Sequence, residues 1–209
     1  KNAYLLVHSD PKDIHINLAE GTTGSVPADP RQPTYMASVG KLFTSTIVGI
    51  MHQQGMLSFD DRIAEHLDPE LLNGLHVHKG IDHTHEIRIK HLLNQTSGLA
   101  DNFEPLLDEL LADPDFTITP REAIQWVKKN SEADFAPGAG FQYTDTNYHL
   151  LGLVIETRTG LAFHEALKEY IYQPLEMKHS SMLHYSEPME ACSFPIADFY
   201  ARGTRLNEV

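Results

Sequence analysis

YMASVGKLFTS, residues 35–45, is the stretch on which the reading of this chain turns. Ala37 leads into Ser38, and the chain then becomes apolar with helical spacing. Val39, Leu42, Phe43, Ile47, Ile50 and Met51 fall on one broad helical face. Gly55 stands where a helix of that length ends in a left-handed cap. The pattern predicts a helix with Ser38 at or near its N-terminus, and with Lys41 about one turn on and on the same face. Such an arrangement suits acyl transfer. A serine hydroxyl is a poor nucleophile until a base takes its proton. A lysine supplies that base if its surroundings lower its pKa. The unpaired N–H groups of a helix's first turn favour negative charge, so one turn can hold nucleophile, base and part of an oxyanion hole. Ser-x-x-Lys is a common pattern, however, and by itself a structural helix start describes it better than catalysis does. A second copy, Ser9–Lys12, contains Pro11 in a Ser-Asp-Pro turn and offers no helical geometry.

Upstream of this stretch, residues 3–8 (AYLLVH) and 14–19 (IHINLA) read as two strands joined in a hairpin through Ser9, Asp10, Pro11 and Lys12. A two-stranded hairpin is marginal alone, and little else in the chain reads as strand to complete its sheet. Residues 20–34, rich in Gly, Thr and Pro, read as a loop. Downstream, GMLSFDDRI (55–63) reads as a turn with Asp60 and Asp61 beginning a short helical piece. Residues 68–86 form a polar, histidine-rich connection, and IRIKHLLNQTSGL (87–99) reads as a helix ending in a Ser-Gly turn. Residues 104–112 have helical periodicity. Thr119-Pro120-Arg121-Glu122 is a helix start, with a cap, a proline at the first position and a glutamate completing a capping box. That helix runs through Trp126 to Asn130, with Trp126 in the core or on a groove wall. FAPGAGFQYTD (135–145) is a loop; Asn147 to Ile155 mark a helix closed by Gly160, and Phe163 to Ile171 another that stops before Pro174. In residues 183–209 only pieces of strand, such as SFPIADFY (193–200), are expected.

Composition bounds the function. The 209 residues suffice for one sizeable domain or two small ones, and a net charge of −13 argues against a nucleic-acid or anionic-membrane surface. No apolar run is long enough to span a bilayer. The sequence opens inside what reads as a strand and shows no export signal, which leaves the compartment open. A single cysteine, Cys192, excludes an internal disulfide framework. Of thirteen histidines, four crowd into one loop, at His76, His78, His83 and His85. Paired His-x-His units can bind zinc, but a solvated surface loop explains them better, and no metal site is expected. His85-Glu86 begins a zinc-protease pattern that fails, because Ile89 occupies the second histidine position. There is no Gly-x-Ser-x-Gly elbow, which argues against an α/β-hydrolase.

A second constellation is PGAGFQYTDTNYHLLG, residues 137–152. Its Gly-rich loop delivers Tyr143, Thr144 and Asp145 to the start of a helix. A tyrosine beside a cationic lysine can relay protons, and an Asn or Asp two residues on can hydrogen-bond the lysine or a substrate amide. With this loop in view, the chain resembles the serine β-lactamase and penicillin-binding-protein superfamily, in its class C β-lactamase, D,D-peptidase and esterase branch. YMASVGKLFTS resembles that family's nucleophile helix and GMLSFDDRI the turn after it. HLLNQTSGL resembles its "LL-x-H-T-S-G-L" segment, with Gln95 for the usual His. PGAGFQYTDTNYHLLG resembles its tyrosine loop, and YIYQPLEMKHSSM (170–182) its "I-x-x-P-L-G-M" segment, with Glu176 for the usual Gly. The five matches run in order over nearly the whole chain.

The resemblance implies that Ser38 is the acylated nucleophile, Lys41 its base partner and Tyr143 a proton relay. Asp145 takes a supporting position where the family often has Asn, and its charge is expected to hold Lys41 protonated. Ser97-Gly98 is expected as a turn packed under the site. The implied function is a serine hydrolase acting through an acyl-enzyme on a β-lactam, a D-amino-acid peptide or an ester. The substrate is small or peptidoglycan-like, and neither a metal nor an organic cofactor is required. A non-enzymatic or weakly active sensor-like scaffold of the same fold is the alternative, distinguished by an acyl adduct that forms and persists. The family's third motif, Lys-Thr-Gly or His-x-Gly on a strand near the C-terminus, is not found. Arg158-Thr159-Gly160 is similar in chemistry but falls at a helix end, where a glycine cap accounts for it. The expected fold is thus α/β (α+β), β-lactamase/transpeptidase-like, an antiparallel sheet plus a helical domain without the C-terminal sheet strands. It is expected as one incomplete domain over 1–209, with strands and loop in 1–34, the helical part in 35–185 and a return towards the sheet in 186–209. On that reading these 209 residues alone are poorly active.

Overall fold

A computed structural model describes residues 1–113 and 115–206. They form two compact units, one of residues 1–38 with the segment from 177 onward, the other Val39–Glu176. The last three positions of the expected 186–209 segment, 207–209, lie outside the described residues.

In the first unit the predicted hairpin is present. Strand β1 (Asn2–Ser9) pairs antiparallel with β2 (Ile14–Thr23), from Ser9 opposite Ile14 to Asn2 opposite Gly21. A single 3-10 turn, Asp10–Lys12, joins them, with Pro11 in its first turn and Asp13 left-handed at φ 49°. The expected loop at 20–34 is shorter than predicted, because β2 continues to Thr23 against β1 and is then met by β3 (Val26–Pro27). Leu5, Leu6 and Leu18 on this sheet are more than half exposed. The unit's later segment carries a small hairpin, which places one end of the expected strand 193–200 in a ladder. It comprises the two-residue strands at Tyr200–Ala201 and Thr204–Arg205, turned by Arg202 and Gly203, both at positive φ. Asp198 ties it back, accepting from the Gly24 N–H and the Arg205 Nε–H at 2.8 Å each.

The second unit is helical. α1 (Lys41–Gln53) follows the 3-10 turn Ala37–Gly40, and Gly55 beyond its end is left-handed, as expected. Its buried face differs from the predicted stripe. Thr44, Ile47, Val48 and Met51 face the core, whereas Val39 and Leu42 are exposed. The helix begins at Lys41, so Val39 before it does not share its rotation, while Leu42 inside it lies on the side opposite Thr44, Ile47, Val48 and Met51.

The connection expected to be only polar contains α2 (Pro69–Leu72), the hairpin β4 (Val77–His78) and β5 (Ile81–Asp82), and several buried side chains. Among them is His76, fully buried rather than solvated. α3 covers only Ile89–Leu93 of the helix expected over 87–99. Gln95 at φ 59° turns the chain out of helical geometry.

α4 (Phe103–Ala112) and α5 (Pro120–Asn130) follow, α5 opened by the predicted box. The Thr119 hydroxyl accepts from the Glu122 N–H, and Glu122 accepts from the Thr119 N–H at 2.8 Å. Trp126 on α5 is half-buried.

α6 (Thr146–Thr159) is the central helix, in contact with α1, α3, α5 and α7 (Phe163–Leu167). Leu150, Leu151, Leu153, Val154 and Ile155 are all buried, the all-round apolar character of a helix surrounded by others. Gly160 caps its end, so Arg158-Thr159-Gly160 is a helix terminus here. A π-turn, Lys168–Tyr172, continues α7. Glu176, where the resemblance predicts Gly, has φ 53°, the backbone region in which glycine is the least strained residue.

Candidate functional site

Lys41 is the first residue of α1 and meets the residues that open α6. Its Nζ lies 2.6 Å from Asp145 Oδ1, with the two side chains only 18% and 23% exposed. The ammonium also lies 5.0 Å from the centre of the Tyr143 ring and 5.5 Å from that of Tyr148, within cation–π range. Burial works to lower the pKa of Lys41. Hydrogen bonds to Asp145 and Tyr143, with their charges, outweigh it and raise the pKa above the ordinary lysine value.

Of the sequence-predicted residues, the structure thus gathers Lys41, Tyr143 and Asp145 in the helical unit. Ser38 belongs to the strand-bearing unit. It stands exposed in the 3-10 turn Ala37–Gly40, three residues before Lys41 along the chain. Ala37 before it is held at φ 44°, a left-handed conformation that costs an alanine energy.

The tyrosine loop is fixed by the segment Gln95-Thr96-Ser97-Gly98. The Gln95 carbonyl accepts from the Gln142 N–H at 3.0 Å, and its side-chain Oε1 accepts from the Thr144 N–H at 3.0 Å and from Asn147 Nδ2 at 2.5 Å. Ser97 Oγ donates to Asn147 Oδ1 at 2.6 Å and accepts from the Leu99 N–H. Thr144 and Thr146 both donate their hydroxyls to the Ala100 carbonyl. Gly98 makes this clamp possible. At φ 80° any Cβ would be strained, and it would run into the Phe135 carbonyl oxygen. Gln95, Ser97 and Asn147 are buried, so these bonds are made out of water, where an unmade bond is most costly.

Sequence reasoning missed Asn147 and Tyr148 as parts of the site. Asn147 was legible only as a polar residue opening an apolar helix. Tyr148 lies three residues past Asp145, a spacing that puts both on one helical face. It also shares a hydrogen bond with Ser45 at 3.0 Å, one turn beyond Lys41.

The histidine-rich loop is built otherwise. His76 Nε2 bonds the Ser97 carbonyl at 2.9 Å, His78 Nδ1 the Ala133 carbonyl at 2.8 Å, and His83 pairs with Glu86. Among the described residues no three His, Cys, Asp or Glu side chains converge as metal ligands. Nor is any helix among them long and apolar enough to cross a membrane.

With fold and geometry in view, residues 10–193 match the Beta-lactamase family, and the chain belongs to that family. It is similar to the protein flp of Staphylococcus aureus strain MW2, 28% identical over 159 residues, which are 75% of this chain and 29% of that protein. A D-aminopeptidase of Brucella anthropi is 30% identical over 105 residues, 50% of this chain and 20% of that enzyme. A solved D-stereospecific amidohydrolase from Streptomyces superposes with a TM-score of 0.66 at 28% identity, over 78% of this chain and 46% of that one. The fold is therefore β-lactamase-like, mixing helices with antiparallel strands. The chain spans less than a third of these curated relatives and about half of the solved structure.

Proposed function

We propose that these residues supply the nucleophile segment and the helical part of a serine hydrolase of the Beta-lactamase family. Ser38 Oγ attacks the substrate carbonyl carbon and forms an ester as the bond to the leaving group breaks. The hydroxyl proton passes to Lys41 in its free-base form and, through the Tyr143 hydroxyl, to the departing group. Water then cleaves the ester and regenerates Ser38. Asp145 keeps Lys41 mostly as the ammonium at neutral pH, so acylation is expected to quicken as the pH rises towards the lysine range. The carrying observation is Lys41, enclosed by Asp145 at 2.6 Å and by the Tyr143 ring, three residues after a serine in a helix-initiating turn.

The substrate is a small molecule or a peptidoglycan-like fragment: a D-amino-acid amide or peptide, a β-lactam or an ester. The names of the D-aminopeptidase and the D-stereospecific amidohydrolase support the first of these. The test is intact mass after incubation with a reactive penicillin and, separately, with an activated D-amino-acid ester. A single adduct mapping to Ser38, absent in Ser38→Ala and cleared with time, is expected. An adduct that persists supports a penicillin-binding sensor instead, and no adduct from either reagent overturns the proposal.

A further inference from the structure

Beside the Lys41–Asp145 pair the helical unit holds a cleft of about 280 Å³. It is lined by Phe103, Leu106, Leu107 and Leu110 of α4, by Phe116 and Ile118, and by Asp145 before α6 and His149 within it. Three observations bear on what it accepts. The lining is apolar apart from Asn102, His149 and Asp145, and Asp145 is already spent on Lys41. Asn102 is fully buried, and among the described residues its Oδ1 has no hydrogen-bond partner; nor has His149 Nδ1. A buried polar atom left unpaired costs about 1–3 kcal/mol, a cost that an incoming polar group can relieve. Finally, among the described residues no lysine or arginine lines the cleft to pair with an anion. The volume falls just below that of small-molecule pockets, roughly 300–1,000 Å³, and suits one side chain rather than a polymer.

We propose that this cleft seats a bulky, uncharged side chain of the acyl group transferred to Ser38, aromatic or branched, with an amide N–H within reach of Asn102 Oδ1. The cleft shares Asp145 with the reaction centre, so a group held there is carried next to Lys41. This inference rests on the proposed acyl transfer and narrows its substrate. Burial pushes the His149 imidazole below its ordinary pKa against the pull of Asp145, so His149 adds no positive charge at neutral pH to recruit an anion.

The test compares p-nitrophenyl phenylacetate with p-nitrophenyl acetate, which share a leaving group, following Ser38 acylation by intact mass. The phenylacetyl ester is expected to react at least about tenfold faster. Leu106→Trp, at a half-buried lining position, should abolish that preference by slowing the phenylacetyl ester at least about tenfold relative to the acetate. Ile118→Ala serves in its place if that variant does not fold, and should lower the preference by loosening the wall. A preference unchanged in the variant, or absent in the wild type, overturns the cleft while leaving acyl transfer intact. If Ser38 takes neither ester, the proposed function is what has failed. The cleft is then decided by titrating phenylacetamide against methyl-labelled protein. Saturable shifts at Leu106, Leu110 and Ile118 sustain it, and their absence overturns it.

Discussion

Asp145→Asn isolates the charge that holds Lys41 in its ammonium form. At 2.6 Å and an effective dielectric of about 20, the attraction between the two charges is roughly 6 kcal/mol. About a fifth of each side chain meets water, so only part of this survives as net proton affinity. Hydrogen bonds to charged groups place that part at about 1.5–3 kcal/mol. At about 1.4 kcal/mol per tenfold, losing the anion should raise the free-base fraction of Lys41 by roughly ten- to 150-fold at neutral pH. Asn keeps the shape and a neutral acceptor, and the backbone N–H of residue 145 keeps its bond to Asp101 Oδ1, so the loop should stay in place. The direct assay is the Lys41 Cε chemical shift followed against pH in protein carrying 13C-labelled lysine. The midpoint should move to lower pH in the variant, and the pH profile of Ser38 acylation should move with it. The pair's contribution to stability has the matching sign. It is present below the unfolded lysine value and lost as pH rises through the raised folded one, so on the alkaline side wild type and variant should converge in strong alkali. A midpoint that stays put, or moves upward, would refute the assignment of Lys41's charge to Asp145.

Two further perturbations probe the scaffold. Gly98→Ala forces a side chain into a left-handed position against the Phe135 carbonyl and should cost about 2–4 kcal/mol in denaturant unfolding; a loss under about 1 kcal/mol would show that the Gln95–Gly98 turn yields easily. His76, His91 and His149 are each pushed below the ordinary histidine value, chiefly by burial. Their neutral forms therefore contribute stability that is complete above about pH 6.5 and lost as pH falls through the depressed folded values. The urea midpoint should drop between pH 7.5 and 5, above the range where carboxylates titrate, and drop less in His76→Gln. A midpoint flat across that window would contradict the burial of these imidazoles.

Much of the local structure was legible in the sequence because it is set by neighbours along the chain. The β1–β2 hairpin follows from two alternating runs around Asp10-Pro11, and the α5 start from Thr119, Pro120 and Glu122, whose bonds close within three residues. The pairing of Lys41 with the tyrosine loop was legible for a different reason. The ordered motifs resemble a family in which those segments meet, and the family match over residues 10–193 agrees with the resemblance. Where the expectation slipped, a distant partner had decided the outcome. The exposed Val39 and Leu42 follow from where α1 starts and from what packs on it, and periodicity does not report either. His76 looked like one histidine among four on a surface loop, yet it is buried, with its Nε2 bonded to the Ser97 carbonyl 21 residues on.

From its own residues, then, the chain determined most of its longer helices, its first hairpin, the left-handed caps at Gly55 and Gly160, and Ser38, Lys41 and Tyr143 as candidates. Capping, periodicity and turn chemistry act over a few residues and can be read in order. Tertiary structure alone decided that Lys41 lies 2.6 Å from Asp145 and largely out of water, that Gln95, Ser97 and Asn147 form one buried clamp, and that α4 and α6 leave a cleft beside the pair. Each of these depends on distances between residues far apart along the chain, and the strength of a charge or a hydrogen bond is set by how much water those distances exclude.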